Sequence, residues 1–135
     1  MKKKCPFCKD GFLERKTVNE TYTYKGHTIE LDQPGEWCNT CEEGILENAD
    51  LRATEKRISD FQSQIDNLLT SGEIRRIRKK LKLTQKQAAS FCGGGANAFS
   101  RYERGEAAPM RSTSNLLRLL DNYPHLLGEL MPTIT

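Results

Sequence analysis

No stretch of this chain approaches the roughly 20 consecutive apolar residues that a membrane-spanning helix requires. Aromatic residues make up only 7% of the sequence and hydrophobic residues 36%, which disfavours one large core. Histidine is nearly absent. There are two in 135 residues, neither beside a nucleophile in a recognisable motif, so the common catalytic constellations lack their parts and no enzyme is expected. The basic start Lys2-Lys3-Lys4 is not followed by the apolar run of a secretion signal, because Cys5-Pro6-Phe7-Cys8 stands in its place. From these lacks we expect a cytoplasmic protein with no membrane segment.

What is present divides in two. A chain of this length holds one average domain or two small ones. Domains of about 65 residues are marginal on burial alone, so one of them is expected to carry a staple such as a metal. Charge marks the division. Residues 1–67 hold 10 Lys/Arg against 13 Asp/Glu, a net of −3, while residues 68–135 hold 11 against 5, a net of +6. The second half is built to meet a polyanion.

Four of the five cysteines form two C-x-x-C pairs, Cys5/Cys8 and Cys38/Cys41. A two-residue gap lets both sulfurs of a pair face one tetrahedral centre, and we read the set as a structural site for one zinc per chain. Disulfides are disfavoured in a reducing compartment. Iron in a sulfur-only site is the alternative that spacing alone leaves open. A catalytic zinc would need an open position, which four thiolates do not leave. Gly11 and Gly44 each follow a pair by three residues, where we expect a positive φ to turn the chain beneath the metal. His27 reads as a hairpin residue rather than a ligand.

Between the pairs, Tyr22 and Tyr24, then Ile29 and Leu31, alternate with polar residues as strands do. Lys25-Gly26 is the expected turn, and Pro34-Gly35 is expected to break the second strand before Trp37. A small sheet of this kind leaves an open edge, which needs protection or serves for docking. From Asn48, an expected N-cap, the period becomes helical: Leu51, Ile58, Phe61, Ile65 and Leu68 make one stripe.

The basic half opens with a capping box, Thr70-Ser71-Gly72-Glu73, and a helix with Ile74, Ile77 and Leu81 inward. Arg75, Arg76, Arg78, Lys79 and Lys80 cover its other faces. A second box, Thr84-Gln85-Lys86-Gln87, starts a helix that Gly93-Gly94-Gly95 ends. Residues 96–104 form a third, with Phe99 and Tyr102 inward and Gly105 as the stop. Helix, short glycine turn and helix in a basic segment is the helix-turn-helix pattern. Lys86, Ser100, Arg104 and Arg111 are candidates for phosphate contact. Glu103 cannot favourably face phosphate and is expected to brace a neighbouring arginine. Cys92 reads as a small buried hydrophobe. Ser112 is the expected cap of a helix carrying Leu116, Leu117, Leu119 and Leu120 that stops at Tyr123-Pro124. Leu126, Leu127 and Leu130 follow, and leucines not used internally are candidates for a twofold surface.

The expected architecture is an α+β zinc-binding domain over residues 1–67, then an all-α helix-turn-helix domain of five short helices over residues 68–135. The run from Leu83-Thr84-Gln85 to Ser100-Arg101-Tyr102-Glu103-Arg104-Gly105 resembles the Cro/C1-type helix-turn-helix. With CPFC, CNTCEEG, LTQKQAASF, GGGANAFSRYERG and LLRLLDNYP in that order, nearly the whole chain resembles the MqsA antitoxin family. That resemblance implies a C-terminal half that dimerises and binds a palindromic operator in double-stranded DNA. It also implies a zinc half that neutralises an MqsR-like ribonuclease toxin. It puts the zinc ligands at Cys5, Cys8, Cys38 and Cys41 and the base-reading residues at Asn97 and Arg101. Those two stand four apart and share a helix face, with asparagine suited to adenine and arginine to guanine. A helix cap for Asn97 and a phosphate contact for Arg101 are the plainer readings. A free-standing regulator of the same architecture, without a toxin, is the alternative function.

Overall fold

A computed structural model of the chain describes residues 3–130; the outermost residues of both expected domains lie outside that span. The chain divides into two compact units, Met1–Glu55 and Lys56–Thr135. The first is built on an antiparallel sheet and the second on helices, as expected. The division falls inside a helix, earlier than residue 67. The charge contrast does not depend on it: residues 1–55 carry −3 and residues 56–135 carry +6.

Strands β1 (Lys3–Lys4), β2 (Phe12–Tyr24), β3 (His27–Cys38) and β4 (Gly44–Ile45) pair in chain order. Lys25 and Gly26 join β2 to β3 with φ of 49° and 81°, the double positive φ of a type I′ turn. His27 pairs with Tyr24 beside that turn. Pro34-Gly35 does not break β3. Pro34 pairs with Thr17 where β3 has a strand on one side only, a position that tolerates a residue without an N–H. Gly35 leaves room for the Trp37 indole and Leu46.

Helix α1 (Asn48–Ile65) follows. Asn48 is its first residue rather than its cap. The Asp50 carboxylate accepts the Glu47 N–H at 2.9 Å and meets Arg15 at 2.6 Å. The expected apolar stripe is weak at its start, with Leu51 52% exposed, because polar groups seat this end. The buried Gln33 amide donates to the Asp50 carbonyl at 2.8 Å and accepts from the Thr54 hydroxyl at 3.0 Å.

The helical unit adds α2 (Ser71–Lys80), α3 (Gln85–Cys92), α4 (Ala98–Arg104), α5 (Arg111–Asn122) and a 3₁₀ turn (Pro124–Glu129). Both capping boxes form, Thr70 with Glu73 and Thr84 with Gln87. Helix α4 begins at Ala98, two residues later than expected, since the positive φ values of Gly93, Gly94 and Gly95 prolong the turn. Met110, not Ser112, precedes α5, and its carbonyl accepts from Ser114. Ile74, Ile77, Phe99 and Leu117 are fully buried, each side chain contributing about 1.5–3 kcal/mol of transfer free energy. Cys92 packs half-buried against this core, and burial pushes its thiol up to about 12. Among the described residues no helix is long and apolar enough to cross a membrane.

Candidate metal centre and nucleic-acid interface

Among the described residues the sheet unit buries few apolar side chains, with Leu31 and Trp37 apart from one small cluster. Its buried cluster is Cys5, Leu13 and Cys38, with Cys8, Cys41 and Ile45 packed around it. The four sulfurs lie within 4.8 Å of one another, with Cys5 to Cys41 at 3.6 Å and Cys8 to Cys38 at 3.7 Å. A tetrahedron with bonds of about 2.3 Å has sulfur–sulfur edges of about 3.8 Å, so the set fits a closed metal–thiolate centre. None of the cysteines is in a disulfide. Backbone N–H groups support the thiolate form: Phe7 donates to Cys5 Sγ, and both Thr40 and Cys41 donate to Cys38 Sγ. The Cys41 and Thr40 donors lower the Cys38 thiol, while, against a backbone bond with Glu43, burial and the neighbouring thiols raise that of Cys41.

The glycines that follow each pair act differently from expectation. Positive φ falls on Lys9 and Glu42, one residue after each pair, and not on Gly11 or Gly44. What those glycines supply is space. A Cβ on Gly11 would lie 2.5 Å from Cys38 Sγ, and one on Gly44 would lie 2.5 Å from the Trp37 ring. The spacing was a true signal, but its cause is close approach rather than backbone freedom.

In the helical unit, α4 packs on α2 and α3 through Phe99, Tyr102 and Ala98. Asn97 and Arg101 are both exposed. Asn97 occupies the position before α4, yet its side chain makes no capping hydrogen bond. Arg101 makes no side-chain hydrogen bond or ion pair among the described residues, and neither does Lys86. The other candidates are engaged. Arg104 donates to the Ser100 carbonyl and pairs with Glu106 at 2.8 Å, while Arg111 donates to the Asp66 carbonyl at 2.9 Å. Ser100 is half-buried.

Glu103 braces an arginine as expected. Arg78 meets it at 2.7 Å with both side chains largely buried, and Arg78 Nη1 also donates to the Leu83 carbonyl. Arg76 and Lys80 converge on Asp121 of α5, so three of the five cations of α2 hold the unit together. Sequence reasoning did not find the Asp121 clamp, because its partners stand about 40 residues away.

Comparison with known proteins adds a separate line. The family model for MqsA, the antitoxin component of a bacterial toxin–antitoxin system, matches residues 3–131. Antitoxin MqsA of Escherichia coli (strain K12) is 40% identical over 129 residues, covering 94% of this chain and 98% of that protein.

Proposed function

This chain belongs to the MqsA family of antitoxin components of bacterial toxin–antitoxin systems, and from that premise we propose how its two halves divide the work. Residues 68–135 bind a palindromic operator in the cytoplasm as a homodimer and repress the chain's own operon. Residues 1–67 bind and neutralise a ribonuclease toxin. The chain acts by binding, as a regulator rather than an enzyme.

The observation that carries the DNA reading is the pair Asn97 and Arg101. They are exposed, four residues apart at the start of a helix braced from behind, and among the described residues neither side chain is engaged in the capping or pairing that would occupy it otherwise. Asn97 presents the donor–acceptor pair that matches adenine, and Arg101 the fork that matches O6 and N7 of guanine. Lys86 supplies a phosphate contact that fixes register, and Arg104 and Arg111 supply others on exchanging Glu106 and the Asp66 carbonyl for phosphate, with Ser100 beside them. Exposed Leu119, Tyr123 and Leu126 support a twofold surface on the last helix and the turn after it.

Zinc is the metal that a closed set of four thiolates selects for a structural role. Bound by Cys5, Cys8, Cys38 and Cys41, it supplies folding free energy that a small apolar core supplies only in part. The test of the antitoxin reading is to mix the chain with the protein encoded beside its gene and assay RNA cleavage. Stoichiometric inhibition supports the reading; cleavage unaffected by excess chain contradicts it.

A further inference from the structure

Beyond Leu13, no described strand lies outside β2, since β1 pairs only with Phe12 and Leu13 and β3 fills the other side. An open strand edge is a template for another chain, and proteins guard it with proline, a bulge or charge. Among the described residues no strand lies outside β3 over residues 27–35, where Pro34, Asp32 and Glu30 are such guards. β2 has neither a proline nor a bulge, its ladder running unbroken from Leu13↔Cys38 to Tyr24↔His27. Its charges Glu14, Arg15 and Lys16 lie together at one end, and residues 17–24 include one more, Glu20.

A cavity of about 460 Å³ adjoins this strand beside the metal ligand Cys38, lined otherwise by Lys16, Val18 and Glu20 of β2 with Trp37, Glu42 and Glu43. Lys16, Val18 and Glu20 alternate along β2 and share one face of the sheet. A strand added outside β2 would lay every second side chain over that face. Main-chain bonds then give affinity, and the cavity gives specificity. Three carboxylates face one ammonium there, with Val18 and Trp37 as apolar wall. That lining suits the aliphatic stem and cationic head of lysine or arginine.

We propose that the outer edge of β2 is where the toxin docks, adding one of its own strands and seating a lysine or arginine side chain in this cavity. The proposal rests on the antitoxin reading. Charge argues for the toxin over a second copy of the chain. Residues 1–55 carry −3, so self-pairing brings like charges together, whereas a ribonuclease that binds polyanionic RNA presents a cationic surface.

The test uses the intact chain and the protein encoded beside its gene. In an antiparallel pair alternate amides point away from the partner, so in the free chain every second amide of residues 14–21 exchanges fast. A docked toxin strand slows that alternate set by at least about tenfold. Glu20→Lys combined with Glu43→Lys, both exposed, weakens toxin binding by at least about tenfold and leaves operator binding unchanged. If the neighbouring protein binds while those amides stay fast, or the double variant binds it normally, the proposal falls and the antitoxin reading stands. If the neighbouring protein does not bind at all, both fall. Slowed exchange that depends on chain concentration without the toxin makes a second copy the occupant and overturns the proposal.

Discussion

Arg78 and Glu103 meet through two parallel hydrogen bonds, Nε to Oε2 at 2.7 Å and Nη2 to Oε1 at 2.8 Å, and so tie α4 to α2. The pair is 13% and 6% exposed, shielded from water and salt. Its third donor, Nη1, reaches the Leu83 carbonyl at 2.9 Å and fixes the turn into α3 with the same guanidinium. One residue thereby sets the relation of the three helices around the exposed start of α4.

Removing one member leaves a buried charge without its partner. Glu103→Ala should cost about 3–5 kcal/mol in urea unfolding of the helical unit, and Arg78→Ala a similar amount. Replacing both by apolar residues of similar volume should recover most of that loss. Single variants as stable as the wild type would show that the bridge does not organise these helices.

The metal account predicts a split response to chelation. Cys38→Ser should abolish bound zinc and the near-UV signal of the single tryptophan, Trp37, which is 7% exposed against Gly44. A fragment of residues 56–135 should keep its helices and bind operator without zinc. This fragment retains Asp60, which accepts from the Ser71 N–H and hydroxyl at 2.8 Å. A fragment of residues 68–135 loses that bond and should be less stable. An intact Trp37 spectrum in the metal-free protein would contradict the structural role.

Asp121 gives the helical unit an acid limit. Hydrogen bonds from Arg76 and then Lys80 bring its carboxyl down from 3.8 to about 2. A carboxylate with a depressed pKa contributes stability that is present above the unfolded value and lost as pH falls through the folded one. The contribution of this clamp should therefore be complete above about pH 4 and gone below about pH 2. Asp121→Asn should lower stability at neutral pH and flatten the profile across that window, as read by urea midpoints. An unchanged profile would mean the clamp adds nothing.

Much of this was legible in the sequence because the signals are local. The capping boxes, the Lys25-Gly26 turn and the Gly105 stop depend on residues within a few places of one another, and all form. The cysteine set was legible from spacing alone, and even the need of Glu103 for an arginine partner followed from its charge. What was not legible depends on distant contacts. Pro34-Gly35 looked like a break because a single sequence does not show which side of β3 lacks a neighbour. The start of α1 looked apolar, yet Gln33 seats it through Asp50 and Thr54, a polar link between segments 17 residues or more apart. Gly11 and Gly44 stand at positions that spacing marks, but their role is not readable there, since crowding by Cys38 and Trp37 exists only in three dimensions.

The central claim is that α4 reads bases, and the most direct measurement is titration of variants against operator and scrambled duplex at several salt concentrations. Asn97→Ala and Arg101→Ala should each cost about 1–3 kcal/mol on operator at one position per half-site, with binding to the scrambled duplex nearly unchanged. Lys86→Ala should weaken both duplexes alike and reduce the slope of affinity against salt by about one, because phosphate contacts hold no sequence information. If Asn97→Ala and Arg101→Ala instead weaken operator and scrambled DNA equally, α4 is not the reading helix and the account of this half of the molecule is wrong.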